Sequence, residues 1–334
     1  MMDERLTTLA ACFGLLVGAR WCYGLLSNIR FYFFRSGQIG RYLEPPSDAS
    51  LRDTGESWAL ITGSGSGIGR SLAFELAGRG FNIVLHGSNT AKLQKVQEEL
   101  RAAHPSRAVR MLVFDARQCA LLDRTELGAR LDEVAKSLED IPLRILINNV
   151  GMPQGRPEIR TAFDAIQTFT YDDLLQNASG NAIFPLLLTR AVYPQLVRLQ
   201  PALIVNLGSI AALGFPLFPS YGPAKAFTME SAAELRLESL VEGYDIEVLS
   251  VNLMSATGTA TIKDPVSFML PHADTFAKAV VRCIGCGYPN VMPYLPHAVF
   301  VWVLEAMPLW LRDRFLSKTV TDMRIEALES LKKA

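Results

Sequence analysis

Six apolar runs, each six to eight residues long and rich in β-branched side chains, punctuate the middle of this chain: SWALIT (57–62), NIVLHG (82–87), VRMLVF (109–114), RILINN (144–149), ALIVNLGS (202–209) and IEVLSVN (246–252). Between them lie stretches with helical spacing, such as KLQKVQEELRAA. A strand that is apolar at nearly every position must be covered on both faces, so strands alternating with helices predict an α/β domain built on a doubly wound parallel sheet. The pattern assigns residues 56–290 to this domain and predicts a helix beginning near Ile68.

The two ends of the chain follow a different pattern. From Leu6 to Phe34 the residues are mostly apolar and aromatic, but Arg20 and Arg30 interrupt them and leave an uncharged stretch of only 14 residues, Leu6 to Ala19. A membrane span needs about 20 apolar residues, and a cleaved leader would end in small residues rather than in WCYGLL and RFYFF. Residues 1–45 are therefore expected to be a retained membrane anchor or interfacial segment, its arginines snorkelling and its aromatics at headgroup level. A linker is expected at 46–55, after the Pro45-Pro46 pair. At 291–334 an apolar to amphipathic extension is expected, in which Glu305 and Pro308 interrupt the run His297–Leu311 and suggest an interfacial or substrate-gating helix.

Composition narrows the function. Thirty-three basic residues balance 33 acidic ones, which removes the electrostatic case for nucleic acid. Five scattered cysteines do not make a disulfide framework and point to a reducing compartment. Cys283 and Cys286 form a lone CxxC with no second pair, so buried structural thiols are expected and no metal.

Directly after the first run comes TGSGSGIG (62–69), with four glycines in eight positions. A glycine loop between a strand and a helix lets a phosphate approach the backbone, where free N–H groups and the positive end of the helix dipole meet it. The spacing of Gly63, Gly67 and Gly69 differs from the ordinary dinucleotide fingerprint GxGxxG.

TGxxxGIG resembles the cofactor loop of the short-chain dehydrogenases/reductases, and further motifs follow in that family's order: Asp115 in VFDA, NNVG at 148–151, Asn181, Ser209, and Tyr221 with Lys225 in SYGPAKA. The resemblance spans about residues 56–260 and implies a Rossmann-type fold. It also implies a nicotinamide dinucleotide held by Gly63, Ser64, Ser66, Gly67, Ile68 and Gly69, by Ser88 and Asn89, and by Asp115 at the adenine. Asn148, Asn149, Gly151, Ser255 and Thr257 would line the remainder, with Tyr221 and Lys225 also touching the cofactor. In the family the tyrosine exchanges the proton, the lysine lowers its pKa and holds the ribose, the serine hydrogen-bonds the substrate carbonyl, and the asparagine supports a water relay. These roles carry to Tyr221, Lys225, Ser209 and Asn181. A tyrosine with its ordinary pKa near 10 holds its proton firmly, and a lysine one helical turn away favours the phenolate.

Three departures qualify the resemblance. Ser209 and Tyr221 stand 12 residues apart where the family usually has 13, Asn252 and Leu253 replace a proline-glycine pair, and Ser88 stands where an arginine is frequent. Because HGSN (86–89) has no carboxylate to accept the ribose hydroxyls of NAD, NADP(H) is expected over NAD(H), with Ser88, Asn89 and Lys92 near the 2′-phosphate. The apolar ends and the loop LGFPLFP look like the very-long-chain 3-oxoacyl-CoA reductase and 17β-hydroxysteroid dehydrogenase branch of the endoplasmic reticulum. The expectation is thus an NADP-dependent, membrane-associated oxidoreductase facing the cytoplasm, acting on a lipophilic 3-oxoacyl-CoA, steroid or secondary-metabolite ketone. Its competitor is a catalytically weak or inactive cofactor-binding partner protein; homo-oligomerisation is left open.

Overall fold

A computed structural model describes residues 2–34, 36–44, 55–152, 163–259 and 262–333. Most of the expected linker, 46–54, lies outside them. Seven strands form one parallel sheet in the order β3-β2-β1-β4-β5-β6-β7: β1 (Trp58–Ile61), β2 (Asn82–Gly87), β3 (Val109–Val113), β4 (Leu143–Asn148), β5 (Ala202–Leu207), β6 (Ile246–Val251) and the short β7 (Asn290–Val291). The six apolar runs of the sequence are β1 to β6. β7 is an addition, too short to register as a run.

The helices are α1 (Met2–Ile29), α2 (Gly67–Ala77), α3 (Thr90–Ala103), α4 (Gln118–Leu121), α5 (Arg124–Lys136), α6 (Tyr171–Ala178), α7 (Phe184–Arg198), α8 (Tyr221–Glu242), α9 (Ala273–Cys283), α10 (Leu295–Ala306) and α11 (Leu309–Lys333). Successive side chains of a strand point to opposite faces, and the core divides accordingly. Ala59, Ile61, Ile83, Leu85, Ile145, Ile147, Leu203 and Val205 meet α2, α3 and α9 on one face. Trp58, Leu60, Val84, Leu143, Leu146 and Ile204 meet α5, α7 and α8 on the other. After β3 the chain crosses to β4 on the other side of β1, so the ends of β1 and β4 diverge into a crevice, the place where an open α/β sheet binds its ligand.

The N-terminal segment is divided in the structure. α1 runs unbroken through Arg20, and within the stretch Leu6–Phe34 an 18-residue window reaches a mean hydropathy of 1.6 with none of that window buried; among the described residues this stretch alone is long and apolar enough to cross a membrane. A π turn, Arg30–Phe34, ends it. Beyond, the chain is a strap laid on the domain: Gln38 N donates to Ile284 O at 2.8 Å, Arg41 pairs with Asp245 at 2.7 Å, and Arg144 Nη1 donates to Glu44 O at 2.6 Å. Ile39 and Tyr42 are buried in the core, and the Tyr42 hydroxyl donates to Glu247. Hence the residues packed on the domain begin well before the boundary at 45 that polarity suggests. At the other end, α10 and α11 pack through Ala298, Leu304, Leu316 and Val320, all buried.

Two changes separate these parts. A chain starting at Arg30 should keep the parent's unfolding midpoint in detergent, because α1 contributes almost nothing buried. Tyr42→Ala in the full chain should cost about 3–5 kcal/mol, the usual loss for a buried aromatic; equal denaturant midpoints for Tyr42→Ala and the parent would show that the strap is not part of the core.

Candidate functional site

The glycine loop is fixed from below before anything can bind above it. Thr62, the residue after β1, accepts hydrogen bonds at Oγ1 from Asn149 N at 2.8 Å and Val150 N at 3.0 Å. Asn149 returns its side-chain amide to Thr62 O at 2.8 Å and Gly63 O at 3.3 Å. Gly63 and Gly67 adopt φ of +65° and +56°, the left-handed region that favours glycine. A Cβ on Gly69 would overlap Gly63 O and Asn149 Nδ2, so only glycine lets the first turn of α2 sit this close to the loop. Gly67, with Ser66 and Ile68 beside it, is covered on its other side by Thr259, whose Cα lies 3.2 Å from where a Gly67 Cβ would be.

Not every expected cofactor residue presents its side chain to this crevice. Ser64 is buried, and its hydroxyl is engaged with the His86 backbone, accepting from His86 N at 2.9 Å. Asn148 is buried in the sheet and donates to Thr189 Oγ1 at 3.0 Å and Asn206 Oδ1 at 2.9 Å, which binds β4 to β5 and α7. Both shape the site from behind. Ser88 and Asn89 are exposed past the end of β2, where Asn89 caps α3 by accepting from Lys92 N at 2.9 Å. Asp115 follows β3 and accepts from Arg117 Nη2 at 2.6 Å. Ser255 is half-buried after β6, and Thr257 is buried, its hydroxyl donating to Asp264 O.

The four candidate catalytic residues converge. Ser209 follows β5, where its Oγ accepts from Ala211 N at 3.2 Å and is hydrogen-bonded with the Tyr221 hydroxyl. Tyr221 opens α8, and Lys225 stands one turn on with Nζ 5.9 Å from the Tyr221 ring centre. Lys225 is buried, with Nζ donating to Leu207 O at 2.9 Å and Val150 O at 3.2 Å, and burial lowers its pKa from 10.5 to about 8. Burial raises the Tyr221 pKa while its hydrogen bond with Ser209 lowers it, and the net is upward, so the phenol keeps its proton at neutral pH. Gly151 leaves room here: a Cβ on it would lie 3.9 Å from Lys225 Nζ.

Asn181 occupies a π turn, Ser179–Ile183, between α6 and α7. Its side chain bonds both backbone groups of Met152, accepting from N at 2.9 Å and donating to O at 3.0 Å, and also donates to Asn177 O at 2.9 Å. Its own carbonyl accepts from Thr228 Oγ1 at 2.9 Å. Asn181 is therefore a brace for the chain leaving β4; both hydrogens of its amide are engaged, so a water relay would use a remaining lone pair on Oδ1 or on the backbone oxygen.

Other residues that shape the site carry little signal in the sequence. Thr62 stands inside the quoted motif but reads as a generic strand end. Asn177, which accepts from Ser220 Oγ at 3.0 Å, and Asp164, which pairs with Arg324 of α11 at 3.0 Å, act across long separations that no local pattern reveals. In the loop before Tyr221, Leu217 adopts φ 61°, an unusual conformation for a leucine, and Phe218 follows it. The Phe218 ring centre lies 6.1 Å from that of Tyr221, with Phe163 edge-on to Phe218 at 5.3 Å.

Comparison with known proteins agrees with this geometry. Residues 57–264 match the family described as short chain dehydrogenase. A very-long-chain 3-oxoacyl-CoA reductase of Caenorhabditis elegans is 30% identical over 320 residues, covering 95% of this chain and 96% of the relative. A protein of the same name from Pyricularia oryzae is 31% identical over 75% of this chain and 72% of its own. Among solved structures, a short-chain dehydrogenase from Sphingobium yanoikuyae in complex with NADPH is similar at 26% identity and a TM-score of 0.60, covering 75% of this chain and 92% of that one. A 7β-hydroxysteroid dehydrogenase shares the fold at 16% identity, with a TM-score of 0.66 over 80% of this chain and 99% of its own.

The burial of Lys225 has a measurable consequence. The fall from 10.5 to about 8 corresponds to about 3 kcal/mol of penalty on the charged form. Removing the ammonium also removes two hydrogen bonds of about 1 kcal/mol each. Lys225→Met should therefore stabilise the ligand-free protein by about 1 kcal/mol at pH 7. The parent sheds the penalty as pH rises from 8 towards 10.5, because the buried amine is neutral there while the unfolded one is still charged. The advantage of the variant should shrink over that window in denaturant titrations; a loss of stability at pH 7 would show that the ammonium is well solvated in its site.

Proposed function

As a member of the short-chain dehydrogenase family, to which this chain belongs, the protein is an oxidoreductase acting on a small-molecule substrate, and we propose that it is an NADP(H)-dependent ketoreductase for a lipophilic ketone. The observation that carries this reading is the convergence of Tyr221, hydrogen-bonded with Ser209, on the buried Lys225 beside the glycine cradle. The cradle fits a dinucleotide: side chains are excluded at Gly63, Gly67 and Gly69 where α2 begins, and Lys225 is a buried cation whose named partners are two carbonyls.

When bound, the reduced nicotinamide supplies the hydride. Ser209 Oγ orients the substrate carbonyl by a hydrogen bond. Tyr221, held as the phenol, gives its proton to the carbonyl oxygen as negative charge develops there. Lys225 stabilises the phenolate left behind, its ammonium remaining mostly charged below a pKa of about 8. Asn181 keeps Met152, and through it the end of β4, in place under the reacting groups.

Preference for NADP(H) is supported by the exposed Ser88 and Asn89 after β2, where no carboxylate stands to repel a 2′-phosphate. It is further supported by the NADPH complex of the similar Sphingobium protein. A lipophilic substrate, such as a long 3-oxoacyl thioester, is supported by the Phe163–Phe218 wall beside Tyr221, by exposed Val266 and Phe268 on the segment after Thr257, and by the names of the relatives. Membrane attachment, at the cytoplasmic face of the endoplasmic reticulum, is supported by the exposed apolar α1 and by cysteines that are all free. An inactive partner protein would have little use for all four of Asn181, Ser209, Tyr221 and Lys225.

NADPH oxidation by the detergent-solubilised protein over a panel of long-chain ketones and thioesters tests the reading. Tyr221→Phe should lower turnover by about a hundredfold or more with NADPH affinity retained; comparable rates would remove Tyr221 from its role. Ser88→Asp should shift affinity from NADPH towards NADH, and a parent that already binds NADH more tightly in titration would reverse the cofactor assignment.

A further inference from the structure

α10 carries two faces with different business. Its inner face, His297, Ala298, Val301 and Leu304, is buried against the domain. Its first turn reaches the site: Met254 N, next to Ser255, donates to His297 Nδ1 at 3.4 Å, the His297 Nε2 edge meets Met269 O at 3.1 Å, and Tyr294 donates to Phe268 O at 3.0 Å. The segment with exposed Val266 and Phe268 thus hangs from the start of this helix. Its outer face is open and mostly apolar, with Trp302 40% exposed beside Val299 and Val303 and a single exposed charge at Glu305, and it continues through Leu309 and Trp310, the latter 70% exposed.

What lies over this face is indicated by its neighbour. The π turn that follows α1 is joined to α10 and to the chain around β7: Tyr32 donates to Met292 O at 2.7 Å, its ring meets Trp302 of α10 at 6.1 Å, and Phe31 packs edge-on against Tyr288 at 5.5 Å. Phe33 and Phe34 at that exit are themselves largely exposed. The surface is therefore continuous with the helix that is long and apolar enough to cross a membrane, and the contacts of Phe31 and Tyr32 join the two. Two exposed tryptophans are the side chains that a lipid–water interface favours.

We propose that the outer face of α10 and the start of α11, bearing Trp302 and Trp310, rest on the lipid–water interface of the bilayer that holds α1, so that the segment around Phe268 opens towards the lipid. This rests on the membrane reading of α1 and adds a second contact to it. The chain has four tryptophans, Trp21 in α1, Trp58 in the core, and the pair at issue, which makes the test direct. Full-length protein is reconstituted with phosphatidylcholine vesicles whose acyl chains are brominated near the headgroup, and quenching of tryptophan fluorescence is read. Trp21→Phe should retain about half or more of the quenching, and adding Trp302→Phe and Trp310→Phe should remove it. If Trp21→Phe alone abolishes quenching while the protein still floats with the vesicles, the second contact is wrong and the anchor stands. If the full chain does not float with vesicles at all, the membrane reading falls and the proposal with it.

Discussion

The hydrogen-bonded join between Thr62 and Asn149 is the constraint on which the site depends. β1 and β4 are neighbours in the sheet, yet the chain leaves them in opposite directions, and the crevice between would be only a gap without a tie across it. Four hydrogen bonds close it, two into Thr62 Oγ1 and two from Asn149 Nδ2. They hold the glycine loop against the end of β4, and the same end carries Val150 O to Lys225. The glycine loop and the buried Lys225 therefore share one support, which is how a sheet converts backbone order into the close placement that the proposed hydride and proton transfer require.

Much of this was legible because the information is local. Parallel strands buried on both faces read as continuous apolar runs, and each of the six expected strands falls within about two residues of its place. The loop motif and the spacing of Tyr221 and Lys225 are likewise short-range. What stayed hidden is long-range or depends on packing. Ser64 and Asn148 belong to the right motifs, but their side chains turn inward, a distinction of orientation that spacing cannot carry. The strap from Gly37 to Glu44 looks like the tail of an anchor because its residues are unremarkable in polarity; only the partners Glu247, Asp245 and Arg144, more than 90 residues away, make it part of the core. β7, two residues long, has no periodicity to detect.

Stability and chemistry pull against each other at Lys225. A cation kept from water, with carbonyl dipoles as its partners, weakens the ligand-free fold, and burial of Tyr221 beside it favours the neutral phenol. The same burial increases the effect of one group on the other, since a charge acts more strongly where the dielectric is low. Phe218 packs beside the Tyr221 ring, with Phe163 edge-on against it. Leu217, beside Phe218, stands in the left-handed region, a strained conformation of the kind found where structure is held for function.

The far ends of the chain are tied into this arrangement more closely than their composition suggests. Arg324, past the middle of the last helix, pairs with Asp164, the neighbour of Phe163, so α11 is tied to the aromatic wall of the site. The π turn after the first helix, through Tyr32 and Trp302, meets the helix at whose start Tyr294 holds the Phe268 segment. A soluble reductase of this fold would need neither connection, because its substrate arrives from water in any orientation. A ketone with a long apolar chain has no such freedom: it resides in lipid, and leaving that phase costs about 0.8 kcal/mol for each methylene exposed. An enzyme whose site is tied to an apolar surface avoids exposing those methylenes, and for the proposed lipophilic substrate the connections from the N-terminal segment and α11 to the site are links of that kind.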